Sequence, residues 1–124
     1  MKTENIFIKN LHCEIPFYIG QNKVENFELL DMEEINDSDL WFHAKDESSC
    51  HVIAKIPEDI ITNNKNYKKD KKYIIKIGAL LCKKYTNKLK NMKNINIIYT
   101  QIKYVEKTNI MGCVNIKNEK CINI

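Results

Sequence analysis

Residues 39–53 read Asp39-Leu40-Trp41-Phe42-His43-Ala44-Lys45-Asp46-Glu47-Ser48-Ser49-Cys50-His51-Val52-Ile53, and this stretch decides the fold. Leu40, Phe42 and Ala44 alternate with Trp41 and His43. That period of two marks a strand, because successive strand side chains point to opposite faces. Lys45 to Ser49 is too polar to bury and reads as a connection. His51 to Ile56 resumes a strand until Pro57, which has no backbone N–H to give to a ladder. The predicted unit is strand, loop, strand.

On the N-terminal side, Ile6 to Lys9 and Glu14 to Ile19 read as strands around a His12-Cys13 bend. Gly20-Gln21-Asn22 reads as a turn. Val24, Phe27, Leu30 and Met32, with acids between them, predict a short helix over 24–32 that Asn36-Asp37-Ser38 breaks. On the C-terminal side, Pro57-Glu58-Asp59 opens a turn or short helix. The Asn- and Lys-rich residues 62–69 predict a mobile loop.

The clearest helix is predicted over 70–89. Ile74, Ile77, Gly78, Leu81 and Tyr85 form one apolar stripe, and Lys72, Lys76, Lys83 and Lys90 lie opposite it. Gly78 costs a helix about 1 kcal/mol relative to Ala. A glycine on the buried face lets a sheet approach closely, which offsets that cost. Ile95 to Thr100, Met111 to Ile116 and Cys121 to Ile124 are expected to complete the sheet, with a turn at Asn118-Glu119 before the last strand. Strands come in runs rather than in strict alternation with helices. The fold class is therefore α+β: one domain over 1–124, with a mixed, mostly antiparallel sheet backed by two or three helices.

A length of 124 residues suits one domain. Hydrophobic content of 44% and charged content of 29% exclude an intrinsically disordered chain. No window approaches a membrane span, and the start MKTENIFIKN lacks a signal-peptide core, so the expected setting is cytoplasmic, with the nucleus as alternative and no membrane partner. All 20 basic residues are Lys. With the many Ile and Asn residues this fits an AT-rich coding sequence, so lysine number alone carries little. Its placement carries more. Residues 1–62 hold 5 Lys and 13 acids, a balance of −8, and residues 63–124 hold 15 Lys and 3 acids, a balance of +12. Such asymmetry is the footprint of a surface that meets phosphates, unless it is only a solvated lysine face.

The five cysteines, an odd number without a C-x-x-C pair, are expected as reduced thiols, most of them buried as small hydrophobes. A cysteine hydrolase needs thiol and imidazole in contact with an orienting third group. Cys50 and His51 are neighbours and would point to opposite faces of a strand, and no acid stands at a telling spacing, so no catalytic residue is assigned. The His and Cys residues never adopt paired zinc-ligand spacing, so neither metal nor cofactor is expected. Two readings stand for His43, Ser48, Ser49 and His51: imidazoles that hold the loop in shape, or a site that touches ligand. Two also stand for Trp41. It is a core aromatic, as a lone Trp in a small domain usually is, or a face for base stacking.

The central stretch resembles the NFACT-R family, the domain at the C-terminal end of ribosome-quality-control factors. The likeness rests on Asp39, Leu40, Trp41, Phe42, His43, Ser48, Ser49, His51 and Val52, with Cys50 at a small-residue position. It extends to Tyr18 through Lys23 with Asn26, to Asn96 through Thr100 with Lys103 and Lys107, and to Gly112-Cys113-Val114 as a closing hairpin, so it covers 17–124. It is nearest to the stand-alone eukaryotic members, without the charged coiled coil that usually follows their domain. The resemblance implies non-catalytic nucleic-acid binding, with RNA first, as tRNA or rRNA, in the setting of stalled ribosomal subunits. Lys72, Lys76 and Lys83, with Lys103 and Lys107, are the candidate phosphate track. Lys23 and Lys45 belong to the turn and loop that would add shape-dependent contacts. Lysine supplies point charge without the fork of Arg, which suits backbone binding. The alternatives are DNA as ligand, or a protein-interaction module whose acidic half docks on the ribosome or a basic ribosomal protein.

Overall fold

A computed structural model describes residues 1–62 and 67–124. In chain order the elements are β1 (Lys2–Ile8), β2 (Cys13–Gly20), α1 (Lys23–Leu30), β3 (Leu40–Ala44), β4 (His51–Ala54), α2 (Glu58–Thr62), α3 (Tyr67–Lys84), β5 (Asn96–Gln101), β6 (Val105–Lys107), β7 (Val114–Ile116) and β8 (Lys120–Asn123). Six strands form one sheet in the order β1-β2-β4-β3-β5-β8, and β6 pairs with β7 in a separate ribbon. Every pairing is antiparallel. The class is α+β, as the runs of strands predict.

Alternation along β3 sorts its side chains onto two covered faces. Leu40, Phe42 and Ala44 join Ile15, Phe17, Ile19, Val52, Ala54 and Ile97 in the larger core, which α3 seals with Ile74, Ala79, Leu81 and Cys82. Trp41 points the other way and packs with Leu29 of α1 and Ile53, beneath Val105, Val114 and Ile116 of the ribbon. A strand covered on both faces carries apolar residues at successive positions. Burying a side chain the size of Phe42 or Trp41 stabilises the fold by about 1.5–3 kcal/mol. Trp41, 2% exposed, is a core residue.

The glycine on α3 sits where the apolar stripe places it. A Cβ at Gly78 would stand 2.4 Å from the Phe42 ring, so the helix rests directly on the central strand. Asn26 of α1 has a comparable role. Its Oδ1 accepts the His51 N–H at 3.3 Å and stands 2.5 Å from where a Cβ on Gly20 would be. The Gly20 turn and Asn26 therefore hold α1 against the start of β4. Asn22 caps α1 by accepting the Glu25 N–H at 2.9 Å, and the Glu25 carboxylate accepts the Gln21 N–H at 3.0 Å, a reciprocal cap.

The C-terminal third departs from expectation. Met111 to Ile116 does not join the main sheet: only 114–116 is strand, and it pairs with the three-residue β6. β8 pairs with β5, so no turn at Asn118-Glu119 folds it back on β7. Asn118 instead takes a left-handed conformation, φ 54°, and redirects the chain. The long helix spans 67–84 rather than 70–89. Thr86 ends it, because its hydroxyl donates back to the Cys82 carbonyl at 2.9 Å and accepts the Cys50 N–H at 3.1 Å. Lys90 consequently lies beyond the helix. Of the predicted 62–69 loop, residues 63–66 lie outside the described residues, while 62 ends α2 and 67–69 belong to α3.

Candidate nucleic-acid interface

Lys72, Lys76 and Lys83 sit on the side of α3 turned away from the sheet, Lys72 and Lys76 exposed and Lys83 half-buried. At 100° per residue they fall within about 40° of one another, so one helix face presents all three. None of them makes an ion pair among the described residues. Their neighbours on other faces do: Lys84 pairs with Glu4 at 3.8 Å and Lys88, past the helix, with Glu47 at 2.9 Å.

The other candidate lysines stand elsewhere. Lys23 opens α1, and its stem packs on Gly112, whose φ of 81° and whose contact both require glycine. Lys107 pairs with Asp31, its ammonium 5.0 Å above the Phe27 ring. Lys103 lies in a 3-10 turn, 5.2 Å above the Tyr104 ring. These three belong to the layer that covers Trp41, on the far side of the sheet from α3. Lys45 is exposed in the β3–β4 loop. The fold thus gives two groups of lysines rather than one continuous track. The Trp41 layer also carries Glu25, Glu28, Asp31, Glu33, Glu34 and Asp37, so positive charge without partners concentrates on α3.

The motif residues form a second constellation. His43 and His51 share the face of Trp41. The Trp41 and His43 rings lie parallel, 2° apart, with centroids 5.7 Å apart, and His51 meets both edge-on at 5.1 and 5.0 Å. Trp41 Nε1 donates to His51 Nδ1 at 3.2 Å, and His43 Nδ1 stands 2.7 Å from the Ala44 carbonyl. The serine loop is held without them. Ser49 Oγ accepts the Ala44 N–H at 3.0 Å and donates to the Cys50 carbonyl at 3.0 Å, while Ser48 is exposed. The histidines thus bond to Trp41 and to the Ala44 carbonyl, and among the described residues neither ring bonds to Ser48 or Ser49.

The thiols are placed differently from expectation too. Only Cys50 and Cys82 are buried, Cys13 is half-buried, and Cys113 and Cys121 are exposed, since Cys113 lies in the turn before β7 and Cys121 on the edge strand β8. Cys50 faces α3, where its Sγ donates to the Cys82 carbonyl at 3.3 Å. It is on the opposite side of the sheet from both imidazoles. Hydrogen bonding to Cys50 and burial push the Cys82 thiol well up.

A family model described as the NFACT protein RNA binding domain matches residues 6–118. The chain belongs to the NFACT RNA-binding domain family. Comparison with curated proteins finds none that matches. Among solved structures, the C-terminal part of the fibronectin/fibrinogen-binding protein from Streptococcus suis superimposes with a TM-score of 0.73 at 20% identity. That match takes in 100% of this chain and 45% of the other, so the NFACT domain spans less than half of that structure. At this identity the likeness speaks for the fold.

Within this NFACT domain the buried imidazoles make stability sensitive to acid. Burial, then the neighbouring His43, pushes His51 down to about 3, and burial lowers His43 as well. The unfolded chain takes up a proton at His51 near pH 6.5, whereas the folded chain does so only near pH 3. Stability is thus complete above pH 6.5 and falls as pH drops, by up to about 1.4 kcal/mol per pH unit for this ring. Thermal unfolding between pH 7.5 and 5 should show the loss, and His51→Gln should flatten it. An equally steep profile in His51→Gln would contradict the assignment.

Proposed function

We propose that the domain binds RNA, as tRNA or as ribosome-associated RNA, through the outer face of α3 and without catalysis. The carrying observation is that Lys72, Lys76 and Lys83 share one solvent-facing stripe with no carboxylate partner among the described residues. A phosphate chain laid along this stripe meets point charges at helical spacing and no group that reads base edges. Binding is therefore governed by release of counterions from the nucleic acid, and it is nearly indifferent to sequence. Membership of an RNA-binding family supports RNA over DNA. Lys23, Lys45, Lys103 and Lys107 contribute as secondary contacts from the loop and the opposite layer.

Affinity measured against salt tests this reading. Each neutralised phosphate of a single strand contributes about −0.7 to the slope of log K against log salt. Four to six lysine contacts then give a slope of about −3 to −4. A slope near zero would mean that apolar contacts dominate and would remove the lysine face from the site.

A second reading draws on the acids of α1 and the segment after it, at Glu25, Glu28, Glu33, Glu34 and Asp37. These elements belong to the layer opposite α3, and their carboxylates suit a basic partner such as a ribosomal protein. Absence of RNA binding at low salt, together with capture of a basic ribosomal protein, would favour it.

A further inference from the structure

Between the Trp41 face of the sheet and the β6–β7 ribbon lies a cavity of about 250 Å³, lined by Trp41, His43, His51, Ile98, Val114 and Ile116 and closed at one side by Gly112 and Cys113. We propose that this cavity takes a single unstacked nucleobase, with His51 and His43 as its hydrogen-bonding pair. The inference rests on the reading of the domain as RNA-binding and adds a base-accepting pocket to it.

The polarity of the pair follows from the bonds the rings already make. His51 Nδ1 is occupied as the acceptor of the Trp41 indole N–H, so the neutral ring carries its proton on Nε2 and donates there. His43 Nδ1 faces a carbonyl, which can only accept, so its proton is on Nδ1 and its Nε2 is a free acceptor. Neither Nε2 has a hydrogen-bond partner among the described residues, and no buried side-chain nitrogen or oxygen there lacks one. Both atoms are therefore accessible, and both rings line the cavity. A donor and an acceptor on the wall of one cavity match a base edge, because every nucleobase presents a donor next to an acceptor.

Size and charge narrow the ligand further. The volume falls below the ~300 Å³ at which drug-sized sites begin, so it accommodates one flat ring system. The walls are apolar apart from the two rings, and burial keeps both imidazoles neutral at physiological pH. A phosphate would find no cation inside. Outside, Lys23 packs against Gly112 at the rim, and Lys88 is near enough to act electrostatically on His43. Lys88 follows Lys83 by five residues in the chain. Its pairing with exposed Glu47 is a weak surface contact that a phosphate can displace.

The test compares a short single-stranded oligoribonucleotide with an abasic ribose-phosphate strand of equal length, followed by Trp41 fluorescence and by polarisation. Trp41 is the single Trp of the chain and reports only on its own surroundings. The base-bearing strand should bind at least about fivefold more tightly and change the Trp41 emission, whereas the abasic strand should leave it unchanged. Val114→Phe, which fills the cavity away from the lysine stripe, should bring the two strands to equal affinity while the salt slope persists. A further arm titrates free nucleosides while the His43 and His51 ring protons are followed by NMR, separating a base within RNA from a free nucleoside. Equal affinity of the two strands for the unmodified protein, with unchanged Trp41 emission, overturns the pocket. If neither strand binds, the lysine-face reading fails, and the nucleoside arm then decides: ring-proton shifts keep the pocket, and their absence removes it.

Discussion

Replacing Asp39 with Ala is expected to cost about 3–5 kcal/mol of folding stability. Asp39 is fully buried, and its carboxylate ties together two segments of chain. Oδ2 accepts the Asn36 N–H at 2.8 Å and the Lys55 ammonium at 2.9 Å, and Oδ1 accepts the Ile56 N–H at 2.9 Å. The Asp39 carbonyl also accepts the Ile102 N–H at 2.9 Å, which ties the end of β5 to the entry of β3. Alanine would leave two N–H groups without acceptors and the largely buried Lys55 head with only the Glu34 carbonyl. Each unsatisfied buried donor costs about 1–3 kcal/mol, and an uncompensated charge costs more. Against a total stability of about 5–15 kcal/mol this is a large share. Urea unfolding followed by Trp41 emission measures it. A loss below about 1 kcal/mol would mean that water or a neighbouring group replaces the carboxylate.

The second large effect concerns binding. Lys72→Glu, Lys76→Glu and Lys83→Glu combined should weaken RNA affinity at least about tenfold, or 1.4 kcal/mol, at low salt. The fold should remain intact, because none of the three side chains belongs to the core and none makes an ion pair among the described residues. Reversal removes three attractions and adds three repulsions, so the effect should exceed that of alanine replacements. Circular dichroism and thermal unfolding serve as controls. An unchanged dissociation constant with an intact fold would take α3 out of the interface and shift attention to Lys23, Lys103 and Lys107.

The parts of the fold that could be read from sequence are those governed by local periodicity. Leu40 to Ala44 sorts its side chains onto two faces by its period of two, and both faces are filled. Ile74 to Tyr85 repeats at helical spacing because one side of α3 is buried, and Gly78 marks where Phe42 arrives. Pairing between distant segments leaves no such trace. The partner of β8 is β5, more than twenty residues earlier, and β6 is three residues with no apolar run to announce it. The start of α3 was hidden by composition: the lysines after Tyr67 form helix readily, yet in an Asn-rich context they read as loop.

The candidate site was legible in the same uneven way. The period of two put Trp41 and His43 on one face, and the lysine stripe followed from helix geometry. What covers the Trp41 face could not be foreseen, because Gly112, Val114 and Ile116 reach it only through the ribbon and the turn before it. The roles of Asp39 and Asn26 were likewise hidden. Both bind backbone N–H groups of segments far away in sequence, and a polar residue looks the same in a sequence whether it is exposed or fully enclosed.

If the outer face of α3 meets the RNA backbone, the amides of that helix must respond to RNA. Backbone amide NMR during titration with a short single-stranded RNA at low salt tests it most directly. Perturbations should concentrate along Lys72 to Lys83 and extend towards Lys88, while Glu25 to Glu34 stay unmoved. Perturbations confined to α1 and the acidic segment after it, with α3 silent, would contradict it.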